Sequence, residues 1–219
     1  MIEVRQVEKT FFEGSVGRNL YPNGLNLELA AGQFHIITGR SGSGKSTLLN
    51  MIAGIEAPDN GTISLKNEPV STWNEPLRTT FRRKNIGTVF QFFHLLPLLT
   101  VLENVLLPIE LNKMMTAEKR QHALDLLAQV GLVDRAHSFP DVLSGGEKQR
   151  VSLVRAVVHN PAYLLADEPT GNLDRNSAKV VLDQLKSLSV SNQCTVVMVT
   201  HDSESLPYAD NHIELDKLI

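Results

Sequence analysis

Short runs of apolar residues alternate with amphipathic stretches toward both ends of the chain. Phe34-His35-Ile36-Ile37-Thr38 is one such run ending at Gly39, and Lys45 to Ala53 then reads as a helix closed by Gly54. Pro58-Asp59-Asn60-Gly61 is a turn signal before the strand Thr62-Ile63-Ser64-Leu65, and Asn85 to Phe90 reads as a further strand. Tyr163 to Ala166 is apolar throughout, as befits a strand covered on both faces of a parallel sheet. Ala178, Val181, Leu182, Leu185 and Leu188 share one helical face, and Thr195 to Val199 returns to strand. Strand–helix alternation at both ends predicts an α/β core.

The middle of the chain reads as helical. Thr100-Val101-Leu102-Glu103 has capping-box spacing; Thr116 caps a helix that runs to Val130, and Gly131 stops it. From Val151 a helix continues to Asn160-Pro161. These helices suggest a subdomain inserted into the core. The most apolar stretch, Phe92 to Leu111, is broken by His94, Pro97, Glu103, Asn104, Pro108 and Glu110, so it falls short of the roughly twenty continuous apolar residues of a membrane span. No internal repeat or low-complexity tract interrupts the pattern, which predicts one cassette.

Composition narrows the classes. With 219 residues, 42% of them apolar, the chain can bury a substantial core. A formal charge of −3 and a pI near 6.2 argue against a nucleic-acid-binding protein. The single cysteine, Cys194, lies in an apolar run and is expected to be a buried hydrophobe in a reducing compartment. Met1-Ile2-Glu3-Val4-Arg5 carries charge at once, so no secretory signal is expected.

Gly39-Arg40-Ser41-Gly42-Ser43-Gly44-Lys45-Ser46 matches G-x-x-x-x-G-K-[ST], between a strand and a helix. Its glycines let backbone N–H groups curl around phosphates, Lys45 adds a cation at the β- and γ-phosphates, and the Ser46 hydroxyl can bind Mg²⁺. The helix that follows points its positive end at the same anion. Asp167 and Glu168 close an apolar strand, where adjacent carboxylates are costly unless water or ions meet them, so the strand tip should face the nucleotide. Gln91 closes Ile86-Gly87-Thr88-Val89-Phe90 and offers a neutral carbonyl that can ligate Mg²⁺ and sense the γ-phosphate. Ser144-Gly145-Gly146-Glu147 has capping-box spacing and could merely start a helix, yet paired glycines at a helix start also admit a phosphate. Asp174 can cap the next helix. Arg82-Arg83-Lys84 reads as a solvated helix end rather than a binding patch.

The string Leu143-Ser144-Gly145-Gly146-Glu147-Lys148-Gln149-Arg150, set between the phosphate loop and Leu164-Leu165-Ala166-Asp167-Glu168, resembles the nucleotide-binding subunit of ATP-binding cassette (ABC) transporters. The resemblance spans essentially the whole chain. It implies an α/β fold: a P-loop NTPase core with a parallel sheet, at about residues 1–91 and 159–219, an inserted helical subdomain at about 92–158, and an antiparallel β subdomain. It also implies roles. Gly39 to Thr47 and Gln91 would bind ATP, and Mg²⁺ would be held by Ser46, Gln91 and, through water, Asp167. Glu168 would polarise the attacking water, His201 would be the switch histidine at the γ-phosphate, and Phe11 would stack on adenine, with Phe12 and Tyr21 as rivals. Ser144, Gly145, Gly146, Glu147 and Asp174 would serve nucleotide held by the opposite subunit of a homodimer. The other histidines, such as His94 and His212, are expected to be structural.

Phe90-Gln91-Phe92-Phe93-His94-Leu95-Leu96-Pro97, Leu102-Glu103-Asn104-Val105 and Ala166-Asp167-Glu168-Pro169-Thr170-Gly171-Asn172-Leu173-Asp174 resemble the branch that holds lipoprotein-releasing, macrolide-export and cell-division ATPases. That branch implies a peripheral ATPase on the cytoplasmic face of the cell membrane, driving a permease or a mechanotransmission subunit. Phe92, Phe93, Leu95, Leu96, Leu98 and Leu99 then read as a groove for the partner's coupling helix, or in part as subdomain core. A regulatory cassette without cargo is the alternative. Chromosome-maintenance and ribosome-acting relatives fit poorly, since the chain has neither a long coiled coil between its motifs nor two cassettes.

Overall fold

The computed structural model describes residues 1–13 and 16–218 and divides into two compact units, Met1–Arg82 with Thr195–Ile219, and Arg83–Cys194. In the first unit, β1 (Ile2–Glu8) lies between β4 (Leu25–Leu29) and β6 (Asn60–Leu65) in an antiparallel sheet. Ile2, Val4 and Val7 are all buried, a spacing that breaks the two-residue period of a strand. A bulge restores it: the register shifts between Val4 and Val7 against β4 and between Arg5 and Glu8 against β6, with Gln6 at φ 49°. Gly61 is required opposite this bulge, because a Cβ there would stand 2.2 Å from the Gln6 carbonyl oxygen.

Between β1 and β4 the chain forms a hairpin of β2 (Thr10–Glu13) and β3 (Val16–Asn19) that pairs Phe11 with Arg18. Asp59 anchors its start by accepting the Thr10 N–H at 2.7 Å. A parallel set follows. β5 (Phe34–Thr38) runs between β9 (Thr195–Val199) and β10 (Asn211–Glu214), and β9 is buried at every residue, as its unbroken apolar run requires. Helix α1 (Lys45–Ile52) leaves the end of β5 through the glycine loop and packs on β9. Helix α2 (Glu75–Asn85) runs across the division between the units and buries none of its residues. Its Arg82 donates to the Gly54 carbonyl at the end of α1 (2.9 Å) and pairs with Glu75, while Arg83 and Lys84 are exposed.

In the second unit, β7 (Ile86–Phe90) pairs in parallel with β8 (Tyr163–Asp167). Helix α5 (Gly145–Val157) is central: α3 (Val101–Leu111), α4 (Ala117–Gln129), α6 (Arg175–Ser191) and β7 all pack on it. The α5–β7 approach is set by Gly87, where a Cβ would lie 2.0 Å from the Ala156 carbonyl oxygen. Both capping boxes form, Thr100 with Glu103 on α3 and Ser144 with Glu147 on α5. Thr116 caps α4, and Gly131 follows its end at φ 70°. Cys194 is buried, and desolvation pushes its thiol pKa up to about 11. No helix among the described residues is long and apolar enough to cross a membrane.

Candidate functional site

The phosphate loop is held from three sides. Tyr21, fully buried, donates its hydroxyl to the Gly44 carbonyl at 2.8 Å, and burial raises its pKa. Gly44 sits at φ 96°, where a Cβ would stand 2.6 Å from that hydroxyl, so the position needs glycine both for conformation and for space. Asp216 accepts the Arg40 N–H at 2.9 Å. Lys45 Nζ donates to the carbonyls of Gly39 and Arg40, each at 2.8 Å, which leaves one of its three N–H groups for a ligand. The N-cap of α1 is Gly44, with no side chain to satisfy the first-turn amides, so they are open to an anion. Ser43 Oγ is buried without a hydrogen-bond partner among the described residues and lies against Gly39, where a Cβ would stand 2.7 Å from it.

A cavity of about 680 Å³, within the ordinary size range of cofactor sites, extends from this loop to the hairpin; Phe11, Arg18, Leu20, Gly42, Lys45, Ser46 and Thr47 line it. Phe11 is 41% exposed and presents its ring there. Tyr21 is excluded as a stacking rival, because none of its ring is accessible. The Phe12 side chain lies outside the described residues. His201 follows the end of β9, exposed. The β5–β9 register pairs Ile37 with Val199, so Gly39 and His201 leave neighbouring strands, ~4.8 Å apart, at one level. His212 instead shares a hydrogen bond with Thr38, and His94 packs edge-on against Phe90.

The second unit carries the carboxylates. Phe90 pairs with Asp167, which places Gln91 and Glu168 side by side just beyond the ends of β7 and β8. Glu168 takes φ 45°, an uncommon backbone conformation for a non-glycine residue and one that turns the chain sharply past the strand. Gln91 and Asn172 are paired, the Asn172 amide donating to the Gln91 carbonyl (3.0 Å) and the Gln91 amide to Asn172 Oδ1 (3.4 Å).

Two side chains unremarked in the sequence organise this region. Gln149, wholly buried, donates through Nε2 to the carbonyls of Phe90 (3.1 Å) and Pro169 (2.6 Å), tying the residue before Gln91 to the residue after Glu168. Arg155 donates to the carbonyls of Phe93 (2.8 Å) and His94 (2.6 Å) and so fixes the chain beyond Gln91; burial lowers its pKa. Asn104 does the same farther on, accepting from Leu96 N–H and donating to the Leu96, Leu99 and Thr100 carbonyls. With that loop so fixed, Phe92, Leu96 and Leu98 face solvent while Phe93, Leu95 and Leu99 are half-buried.

At the start of α5, the Ser144 hydroxyl and N–H donate to Glu147, whose N–H donates back to Ser144 Oγ. These bonds hold the Glu147 carboxyl below the usual range. The N–H groups of Gly145 and Gly146 are then the open donors of the first turn. Asp174 caps α6, accepting from Asn176 N–H, Ser177 N–H and Ser177 Oγ, and its pKa is lowered by the Ser177 contacts first of all. A 260 Å³ hollow lies between these two helix starts, lined by Ser144, Gly146, Arg150, Asn176, Ser177 and Val180.

A family model described as ABC transporter matches residues 22–171. The chain belongs to the ABC transporter family. This ABC ATPase is 44% identical over 215 residues to an ABC transporter ATP-binding protein of Mycobacterium tuberculosis, covering 98% of this chain and 86% of the relative. It is 41% identical over 216 residues to the lipoprotein-releasing system ATP-binding protein LolD of Psychrobacter arcticus, covering 98% and 95%. Among solved structures, a dimeric ATP-binding cassette in a post-hydrolysis state, bound to ADP and Pi, matches with a TM-score of 0.87 at 37% identity, covering 98% of this chain and 95% of that one. The fold is therefore that of an ABC cassette, and the enzyme hydrolyses ATP.

Proposed function

We propose that this cassette binds Mg-ATP, closes as a homodimer with nucleotide shared between copies, and uses hydrolysis to drive a membrane partner in export, lipoprotein release or mechanotransmission. The observation that carries the shared site is the start of α5. Gly145 is exposed, and a Cβ there would meet only Leu173 and Phe93 at 3.6 and 3.7 Å, ordinary contact distances. The cassette's own packing does not demand glycine at this position. Glycine there leaves room for a group to approach closely from outside, and the open Gly145 and Gly146 amides suit a phosphate.

Within this proposal, Phe11 offers a face to adenine, and Gly39 to Thr47 with Lys45 take the phosphates. Glu168 positions and deprotonates the attacking water, while His201 contacts the γ-phosphate. Ser144, Gly145, Gly146, Glu147 and Asp174 form the surface offered to the partner copy. Ser46, Gln91 and Asp167 would hold Mg²⁺; these are oxygen donors, as this hard cation prefers, and they are few, which fits an ion completed by water and nucleotide phosphate. When bound, Mg²⁺ neutralises charge on the phosphoryl group. Similarity to LolD and to a mycobacterial transporter ATPase supports a membrane partner and a peripheral place on the cytoplasmic face; the exposed Phe92, Leu96 and Leu98 offer that partner an apolar surface. Glu168→Gln tests the chemistry: it should keep ATP binding and lose about 10²–10⁴-fold in turnover, the usual contribution of a general base. Near-normal turnover would remove Glu168 from that role.

A further inference from the structure

We propose that Arg18 is a nucleotide contact supplied by the β2–β3 hairpin, its guanidinium binding oxygens of the α- and β-phosphates that ATP and ADP share. This rests on the assignment of the cavity to nucleotide. Arg18 stands directly across the hairpin from Phe11, so one pair of residues presents a ring and a fixed cation to the same cavity. Its Nη2 donates to the Gly42 carbonyl at 2.9 Å, which brings the guanidinium to the middle of the phosphate loop. That bond uses one of five N–H donors, and among the described residues the guanidinium forms no ion pair. Lys45, the other cation lining the cavity, already gives two of its three N–H groups to the loop.

Placement decides which phosphates are involved. Lys45 belongs to the β- and γ-phosphates by the geometry of such loops, whereas Arg18 reaches Gly42 from the side of the aromatic ring. That side is where ribose and the first phosphates lie between base and loop. A planar fork matches phosphate oxygens in pairs, which a lysine at this position cannot reproduce. The exposure of Arg18 also leaves it free to meet a ligand rather than serve the core.

The test is calorimetric titration of wild type, Arg18→Ala and Arg18→Lys with Mg-ATP and Mg-ADP, together with thermal midpoints of the nucleotide-free proteins and steady-state kinetics. Arg18→Ala should weaken ATP and ADP alike by about 10- to 100-fold, the range of a charge-assisted hydrogen-bonded contact. The loss should fall on KM more than on kcat, Arg18→Lys should recover only part of it, and the nucleotide-free midpoint should barely move. Wild-type affinity for both nucleotides in Arg18→Ala would overturn the proposal, and so would a loss confined to ATP. A weakened affinity accompanied by a matching fall in midpoint would make Arg18 a brace for the Gly42 carbonyl instead. Failure of the wild type to bind ATP would overturn the nucleotide assignment itself, a different result from the other three.

Discussion

Replacing Gln149 with leucine strips two carbonyls, the part-buried one of Phe90 and the buried one of Pro169, of the donor they share. Each carbonyl left without a partner costs about 1–3 kcal/mol. Against this, Gln149 Oε1 is itself buried without a hydrogen-bond partner, so removing it returns roughly the cost of one such group. The net expectation is a destabilisation of about 1–3 kcal/mol. At ~2–4 °C per kcal/mol for a chain of this size, the thermal midpoint should fall by roughly 2–12 °C. Turnover at saturating ATP should fall too, since Gln91 and Glu168 each lose a fixed neighbour. Gln149→Glu is the sharper control: a carboxylate would face two carbonyl oxygens with no proton to offer, so it should be worse than leucine in both assays. Differential scanning fluorimetry and a coupled ATPase assay read both quantities on the same preparations. An unchanged midpoint and turnover in Gln149→Leu, or a glutamate variant equal to wild type, would refute the reasoning.

Lys45→Ala should weaken ATP binding and abolish most turnover, because the one N–H not given to the Gly39 and Arg40 carbonyls is the loop's charged donor to phosphate; titration calorimetry with the ATPase assay checks it. Cys194 should resist thiol reagents in the folded protein and react on unfolding. Its folded pKa, about 11, is raised above the ordinary 9.0, so its contribution to stability is full below pH 9 and is lost as pH rises toward 11. Cys194→Ala, compared with wild type by denaturant titration, should show a shallower loss across that window.

The strands that were plain in the sequence are those covered on both faces. Phe34–Thr38, Tyr163–Asp167 and Thr195–Val199 are predominantly apolar because burial demands it, His35 being the one interior polar residue, and the glycine loop after the first of them is fixed by its spacing. β1 was obscured by its own bulge, since Val4 and Val7 share a face at a spacing no regular strand produces. α2 buries nothing, so it has no apolar stripe to read. The roles of Gln149 and Arg155 are not legible in the sequence because their partners are backbone carbonyls 20 to 62 residues away along the chain, and such carbonyls carry no residue-type signal. Tyr21 looked like a candidate platform for adenine because aromatic character is visible in sequence and orientation is not; its ring supports the loop from beneath.

The shared-site account is tested most directly by the mass of Glu168→Gln protein in solution. With Mg-ATP it should form dimers by light scattering, since binding proceeds while hydrolysis is blocked, and with ADP, which lacks the bridging phosphate, it should remain monomeric. Ser144→Arg in the same background should abolish the ATP-dependent dimer while leaving binding to the Lys45 loop nearly intact. A Glu168→Gln protein that stays monomeric at high concentration, saturated with Mg-ATP and with its membrane partner present, would contradict the account.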